Sequence, residues 1–172
     1  MKKILLTVVL AVFAASGAYA FGTDKFKDEM VKEAEAVKLV RDVAKGGYQV
    51  ITTEELQAVL RAGENVVLID TMPYEDSYKK GHIPSAKQFL FPIPDMNEWD
   101  VKETAGKSQE DYLKLLGPDK DKKIIVYCGF VKCTRSHNGA VWAKKLGYTN
   151  VYRHPGGIFA WRGAEYEVAI GE

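Results

Sequence analysis

The stretch Ile124-Ile125-Val126-Tyr127-Cys128-Gly129-Phe130-Val131-Lys132-Cys133-Thr134-Arg135-Ser136-His137 opens with four apolar residues in a row. A continuous apolar run of that length suits a strand covered on both faces, as in a parallel sheet. The strand ends at Cys128, a loop follows, and Gly139 to Leu146 reads as a helix stopped by Gly147. Downstream, Asn150 to Arg153 gives a further short strand. Upstream, Val66-Val67-Leu68-Ile69, closed by Asp70, repeats the buried-strand pattern. Before it, Tyr48 to Ile51 reads as a strand, and Thr52-Thr53-Glu54-Glu55 holds a capping box ahead of Leu56, Val59 and Leu60. Another strand is expected at Ala86 to Phe91. Pro92 to Gly117 reads as an elaborated crossover that turns helical near Asp111 to Leu116. Strand and helix alternate, which predicts an α/β domain: a central, mainly parallel sheet with helices on both faces.

Outside that pattern, Asp24 to Ala44 carries apolar residues at Phe26, Met30, Ala34, Val37, Val40 and Ala44. The spacing predicts an amphipathic helix, docked on its own domain or on a second copy, so a homodimer is left open. Lys2 and Lys3, the apolar run 4–15 and Ala18-Tyr19-Ala20 have the layout of a secretory signal peptide cleaved after Ala20. Lys-Lys before a short apolar core points to a bacterial periplasm, with no stable membrane insertion once the leader is removed. The 172 residues carry 24 basic and 23 acidic side chains, so no net field points toward nucleic acid. Trp142, Phe159 and Trp161 read as core, because no basic groove accompanies them.

In open parallel sheets ligands bind beyond the carboxyl ends of the strands. Cys128 and Asp70 are expected at two such ends. A thiol between a strand end and a helix N-terminus meets unpaired N–H groups and the positive end of the helix dipole. That setting favours the thiolate, which is the nucleophilic form of a group whose ordinary pKa is about 8.5. The competing reading is a buried, inert Cys closing a core strand.

Val67-Leu68-Ile69-Asp70, Glu75, Tyr78, Gly81-His82-Ile83-Pro84-Ser85-Ala86, the strand ending in Cys128, Arg135-Ser136, Gly147-Tyr148-Thr149-Asn150-Val151-Tyr152 and Gly156-Gly157-Ile158-Phe159-Ala160-Trp161 together resemble the rhodanese domain. The resemblance runs from about Tyr48 to Val168. With the signal peptide at 1–20, the chain is expected to comprise a helical extension at 21–47 and a rhodanese-like domain at 48–172. The resemblance implies a sulfurtransferase in which Cys128 takes a sulfane sulfur from a small anionic donor of thiosulfate or polysulfide type. The sulfur is held as a persulfide and passed to a thiol or cyanide-like acceptor, with no cofactor and no metal. Gly129, Phe130, Val131, Lys132, Cys133, Thr134 and Arg135 form the substrate cradle, its amides expected to point inward at the sulfur like a preorganised anion hole. Lys132 and Arg135 are candidates to attract the donor; Arg135 is also a candidate to anchor the loop. His82 is expected to be structural, its ring satisfied by backbone. Gly156 and Gly157 are expected to permit a turn beside the catalytic loop.

Two departures stand out. Common rhodanese loops place an Arg five positions after the Cys, and the related phosphatases of the Cdc twenty-five type place it six after. Here Arg135 lies seven after Cys128, and the family's usual Asp-x-Arg after the second strand is Asp70-Thr71-Met72. Cys133, in the same loop, is a candidate resolving cysteine, although inward amides would turn its side chain outward. Its presence keeps a two-cysteine thiol-disulfide protein open beside the sulfurtransferase. A non-catalytic binding module on the same fold is the third reading. Cys128, Cys133 and His137 do not form a zinc pattern.

Overall fold

The computed structural model describes residues 17–171. Lys2, Lys3 and the apolar run of the expected signal peptide lie outside them. The chain divides into a unit ending at Lys38 and a unit from Leu39 onward. Helix α1 (Gly17–Gly46) contributes to both. In the first unit Phe26 and Met30 are largely exposed. No helix among the described residues is long and apolar enough to cross a membrane.

In the second unit, β1 (Gln49–Val50), β2 (Val67–Asp70), β3 (Lys87–Gln88), β4 (Ile124–Tyr127) and β5 (Val151–His154) form one sheet, and every pairing is parallel. The order is β1-β5-β4-β2-β3, which puts β4 at the centre. The side-chain period of two sends Ile124 and Val126 to one face and Ile125 and Tyr127 to the other. On the first face they join Phe89 and Phe91 from the segment after β3, Tyr112 and Leu116 of α3 (Gln109–Leu116), and Ala140, Trp142 and Ala143 of α4 (Arg135–Lys145). On the second they join Leu56 of α2 (Thr53–Arg61), and Ile158 and Trp161 of α5 (Gly157–Gly163). All four β4 side chains are fully buried, as the continuous apolar run requires.

The predicted class therefore holds, while several boundaries shift. The strand expected over Ala86 to Phe91 pairs only at Lys87 and Gln88. Beyond it Phe89 and Phe91 still donate their N–H groups to the carbonyls of Asp70 and Thr71, and their rings fill the core. Helix α4 begins at Arg135, four positions before the expected Gly139. Its buried first turn is made of Ser136, His137 and Asn138, whose side chains find partners instead of solvent. The Thr52 capping box is present, and Ser108 and Asp111 make a second at the start of α3.

Candidate active site

The carboxyl ends of β2, β4 and β5 bring Asp70, Tyr127 and His154 into register, and Cys128 follows directly on β4. Behind Cys128, its carbonyl accepts the Ile158 N–H at 3.0 Å and the Gly129 carbonyl accepts the Phe159 N–H at 3.0 Å. The first turn of α5 is thereby fastened to the start of the loop. Gly157 makes this approach possible: its φ is +58°, and a Cβ there would lie on the Cys128 carbonyl oxygen and 2.7 Å from the Gly129 carbonyl. The turn expected at Gly156 and Gly157 is thus the entry to a helix that sequence reading missed. Phe159, expected in the core, is 63% exposed and packs against Phe130, 46% exposed, with ring centroids 5.4 Å apart. Trp142 and Trp161 are core residues as expected.

Beyond Gly129 the loop closes by a turn in which Cys133 N–H donates to the Phe130 carbonyl at 2.9 Å. Two of its carbonyls face the Cys128 sulfur. The Cys128 sulfur lies 3.2 Å from the Cys133 carbonyl and 3.9 Å from that of Phe130. The residue is fully buried. The expected open sulfur ringed by amides is therefore not what the structure holds. Burial, and a hydrogen bond to the Cys133 sulfur, push the Cys128 thiol well above its ordinary range. Opposing them are Ser136, whose hydroxyl oxygen is 3.3 Å from the Cys128 sulfur, and the Ser136 backbone N–H.

The amides of the cradle serve the other cysteine. The Cys133 side chain turns inward, not outward, and is half-buried. Hydrogen bonding with Cys128, the backbone N–H groups of Gly129 and Arg135 and the Arg135 charge act on its thiol. Together these lower the Cys133 thiol to about 6. Of the two thiols, Cys133 is therefore the more acidic and Cys128 the one held protonated by burial.

A buried guanidinium beneath the loop holds the carbonyls of Val131 and Cys133. Arg153 shares its sheet face with Val151 and is 1% exposed. From Nη2 it donates to the carbonyls of Cys133 at 2.9 Å and Val131 at 3.2 Å; from Nε it donates to Ser136 Oγ at 3.0 Å. Its charge is matched by Asp42 of α1, with Oδ2 3.2 Å from Nη1. Tyr48 extends the network, its hydroxyl 3.5 Å from Nη1 and 2.7 Å from Nδ1 of His137. The Ser136 oxygen accepts from Arg153, so its own hydrogen remains available to the Cys128 sulfur. With Met72 where the family pattern has an Arg, the cation under the loop comes from β5.

The remaining candidates fall into place around this centre. Arg135 is the loop anchor: Nη1 donates to the Phe91 carbonyl. Thr134 Oγ1 donates to the Ile93 carbonyl, and Lys132 is exposed at the rim. Asn138, unnoticed in the sequence, ties the segment after β3 to α4: Nδ2 donates to the carbonyls of Pro92 and Pro94 at 2.8 Å each, and Oδ1 accepts the Met96 N–H at 2.9 Å. Asp70 holds the turn after β2 by accepting the Met72 N–H at 2.9 Å, and burial raises its carboxyl to about 6. His82 is structural as expected, with Nδ1 3.0 Å from the Tyr78 carbonyl and its ring stacked on Tyr78. Among the described residues no group of three or more His, Cys, Asp or Glu is placed to hold a metal ion.

A parallel sheet that delivers one cysteine from its central strand into a closed loop, with a second cysteine inside that loop, defines a class of thiol-bearing α/β domains. Within that class the chain belongs to the rhodanese-like domain family, whose model matches residues 52–164. Among solved structures, it is similar to a thiosulfate sulfurtransferase from Pseudomonas aeruginosa at 24% identity and a TM-score of 0.56, over 76% of this chain and 22% of that one. A rhodanese-like domain from Anabaena gives 18% identity and a TM-score of 0.51, over 70% and 78%. Both likenesses are likenesses of fold. A tRNA uridine(34) hydroxylase from Erwinia tasmaniensis is 44% identical over 45 residues, which is 26% of this chain and 12% of that protein.

Proposed function

We propose that the protein is a sulfurtransferase that carries a sulfane sulfur as a Cys128 persulfide, and that it works in a bacterial periplasm after loss of a signal peptide. The observation that carries this reading is the placement of Cys128, at the end of the central strand of a rhodanese-like sheet and against the first turn of α4. With thiosulfate as donor, Cys128 gives its proton to solvent as the loop opens, and the thiolate attacks the outer sulfur. A bond forms between the two sulfurs, the donor's own sulfur–sulfur bond breaks, and its electron pair leaves on sulfite. The Ser136 hydroxyl and N–H, backed by Arg153, stabilise the thiolate and the persulfide anion that replaces it. In this reading the segment 129–135 opens to admit the donor, since Cys128 is otherwise covered. Lys132 and Arg135 supply positive charge at its rim, and the sulfur then passes to a thiol or cyanide-like acceptor.

Intact-mass measurement after incubation with thiosulfate or inorganic polysulfide tests this. The Cys133→Ser chain is expected to gain one sulfur atom mapped to Cys128, and Cys128→Ser is expected to gain none. A Cys128→Ser chain that still takes up sulfur overturns the reading.

A further inference from the structure

The loop carries a second sulfur in a place that storing a persulfide on Cys128 does not require. A lone carrier cysteine needs donors around it and a route for the acceptor. Here a second cysteine, Cys133, is packed against the same buried cluster as Cys128, and its surroundings lower its thiol. Its backbone is held firmly. The Cys133 N–H is fixed by the Phe130 carbonyl, and the Cys133 carbonyl lies between Arg153 Nη2, at 2.9 Å, and the Cys128 sulfur, at 3.2 Å. Cys133 is thereby held against Cys128 by bonds on both sides of its Cα, and the residue is half-buried.

We infer that Cys133 is the resolving thiol of the site: it attacks the Cys128 persulfide and releases the carried sulfur as hydrosulfide, which makes the protein a dithiol-dependent sulfane-sulfur reductase. The inference rests on the Cys128 persulfide proposed above and adds its fate. In the step, the persulfide anion takes a proton from solvent on its outer sulfur, and the Cys133 thiolate attacks the Cys128 Sγ of the resulting Cys128–S–SH. A Cys133–Cys128 disulfide bond forms, the bond from Cys128 to the sulfane sulfur breaks, and its electron pair departs on the sulfane sulfur as hydrosulfide. The sulfane sulfur gains two electrons and the two cysteines lose them. A dithiol reductant restores both thiols and becomes a disulfide itself. Hydrosulfide is a fitting leaving group because its conjugate acid is more acidic than an ordinary thiol, and a low leaving-group pKa speeds exchange. The attacking group is ionised at neutral pH and held next to its target, an intramolecular advantage over any thiol that must diffuse in. With the loop closed, Cys128 is sealed from bulky acceptors, and Cys133 is the thiol that reaches it.

The test uses the full chain, reduced, freed of reductant and kept without oxygen, then given thiosulfate. Sulfite counts loading and hydrosulfide counts resolution. The wild-type chain is expected to release both in equal amounts, to become two hydrogens lighter than the dithiol form, and to yield a peptide joining Cys128 to Cys133. Adding dithiothreitol is expected to make hydrosulfide release catalytic. Cys133→Ser and Cys133→Ala are expected still to release sulfite and to keep the added sulfur on Cys128. Their hydrosulfide should appear more than about tenfold more slowly, because the neighbouring thiolate is gone. Sulfite with no disulfide in the wild type, or hydrosulfide from both Cys133 variants at the wild-type rate, overturns this inference and leaves the Cys128 persulfide standing. Absence of sulfite from wild type and variants alike overturns the persulfide reading, and resolution falls with it.

Discussion

The carbonyl of Cys133 accepts from Arg153 Nη2 at 2.9 Å while lying 3.2 Å from the Cys128 sulfur. A guanidinium on β5 thus holds the peptide carbonyls of Val131 and Cys133, one of them against the Cys128 sulfur. Arg is suited to this because its planar fork serves several acceptors at once, which an ammonium cannot do from one position.

Replacing Arg153 with Met should therefore act on the loop and on stability together. Asp42, two loop carbonyls and the Ser136 hydroxyl lose their common donor. Leaving a buried charge uncompensated costs about 3–5 kcal/mol. Urea unfolding should show that loss, and the rate of Cys128 sulfur loading should fall as well. Arg153→Lys should recover part of the stability but not the loading rate.

Thiol reactivity should divide sharply between the two cysteines. Cys133 is held near 6 by the Cys128 hydrogen bond and the cradle amides, whereas burial holds Cys128 well above its ordinary range. Alkylation by iodoacetamide, read by peptide mapping, should label Cys133 first, with a rate that rises through about pH 6 and levels off above neutrality. In Cys128→Ala the hydrogen bond into the Cys133 sulfur is absent, and the midpoint of that profile should move upward.

Gly157→Ala should damage the site from behind. A Cβ at this position meets the Cys128 carbonyl oxygen, and the backbone is in the left-handed region. The left-handed conformation alone costs a side chain about 1–2 kcal/mol, and the clash adds to it by driving α5 away from Gly129. A lowered Tm together with slower sulfur loading is the expected result. Gly147→Ala shares a positive φ but has open space around it, so it should lower Tm with little effect on loading.

Asp70 gives a pH signature of stability. Its carboxyl is raised from 3.8 to about 6 by burial, so folding favours the protonated form. The contribution is fully present below the unfolded value and is lost as pH rises from about 4 through 6, a swing of about 3 kcal/mol. Asp70→Asn keeps an acceptor for the Met72 N–H and carries no charge. Denaturant midpoints between pH 4 and 7.5 should fall less steeply for the variant than for the wild type.

The framework was legible because it follows from local pattern. The apolar runs at Val67–Ile69 and Ile124–Tyr127 mark strands buried on two faces, and Thr52 with Glu55 marks a helix start. Helix α5 was not legible: seven residues with Gly at both ends and an exposed Phe159 show no amphipathic period. Arg153 was not legible either, because a charge at the end of a short strand reads as solvated. Its buried role depends on Asp42, brought to it by the fold from the far end of the sequence. A usable clue was present all the same: Arg153 shares the parity of Val151 in β5, which places it on a covered face. Arg153 holds the carbonyls of Val131 and Cys133, and without that contact the side chain of Cys133 was expected to point outward.

The salt bridge from Asp42 to Arg153 also bears on where this protein can be cut. Asp42 and Tyr48 both precede the span matched by the family, which begins at residue 52. A fragment excised at that homology boundary would keep every strand-forming pair from β2 onward yet strand a cation in its interior with no counterion. Electrostatics draws the limit of the autonomous domain earlier than kinship does, inside the last turns of the leading helix.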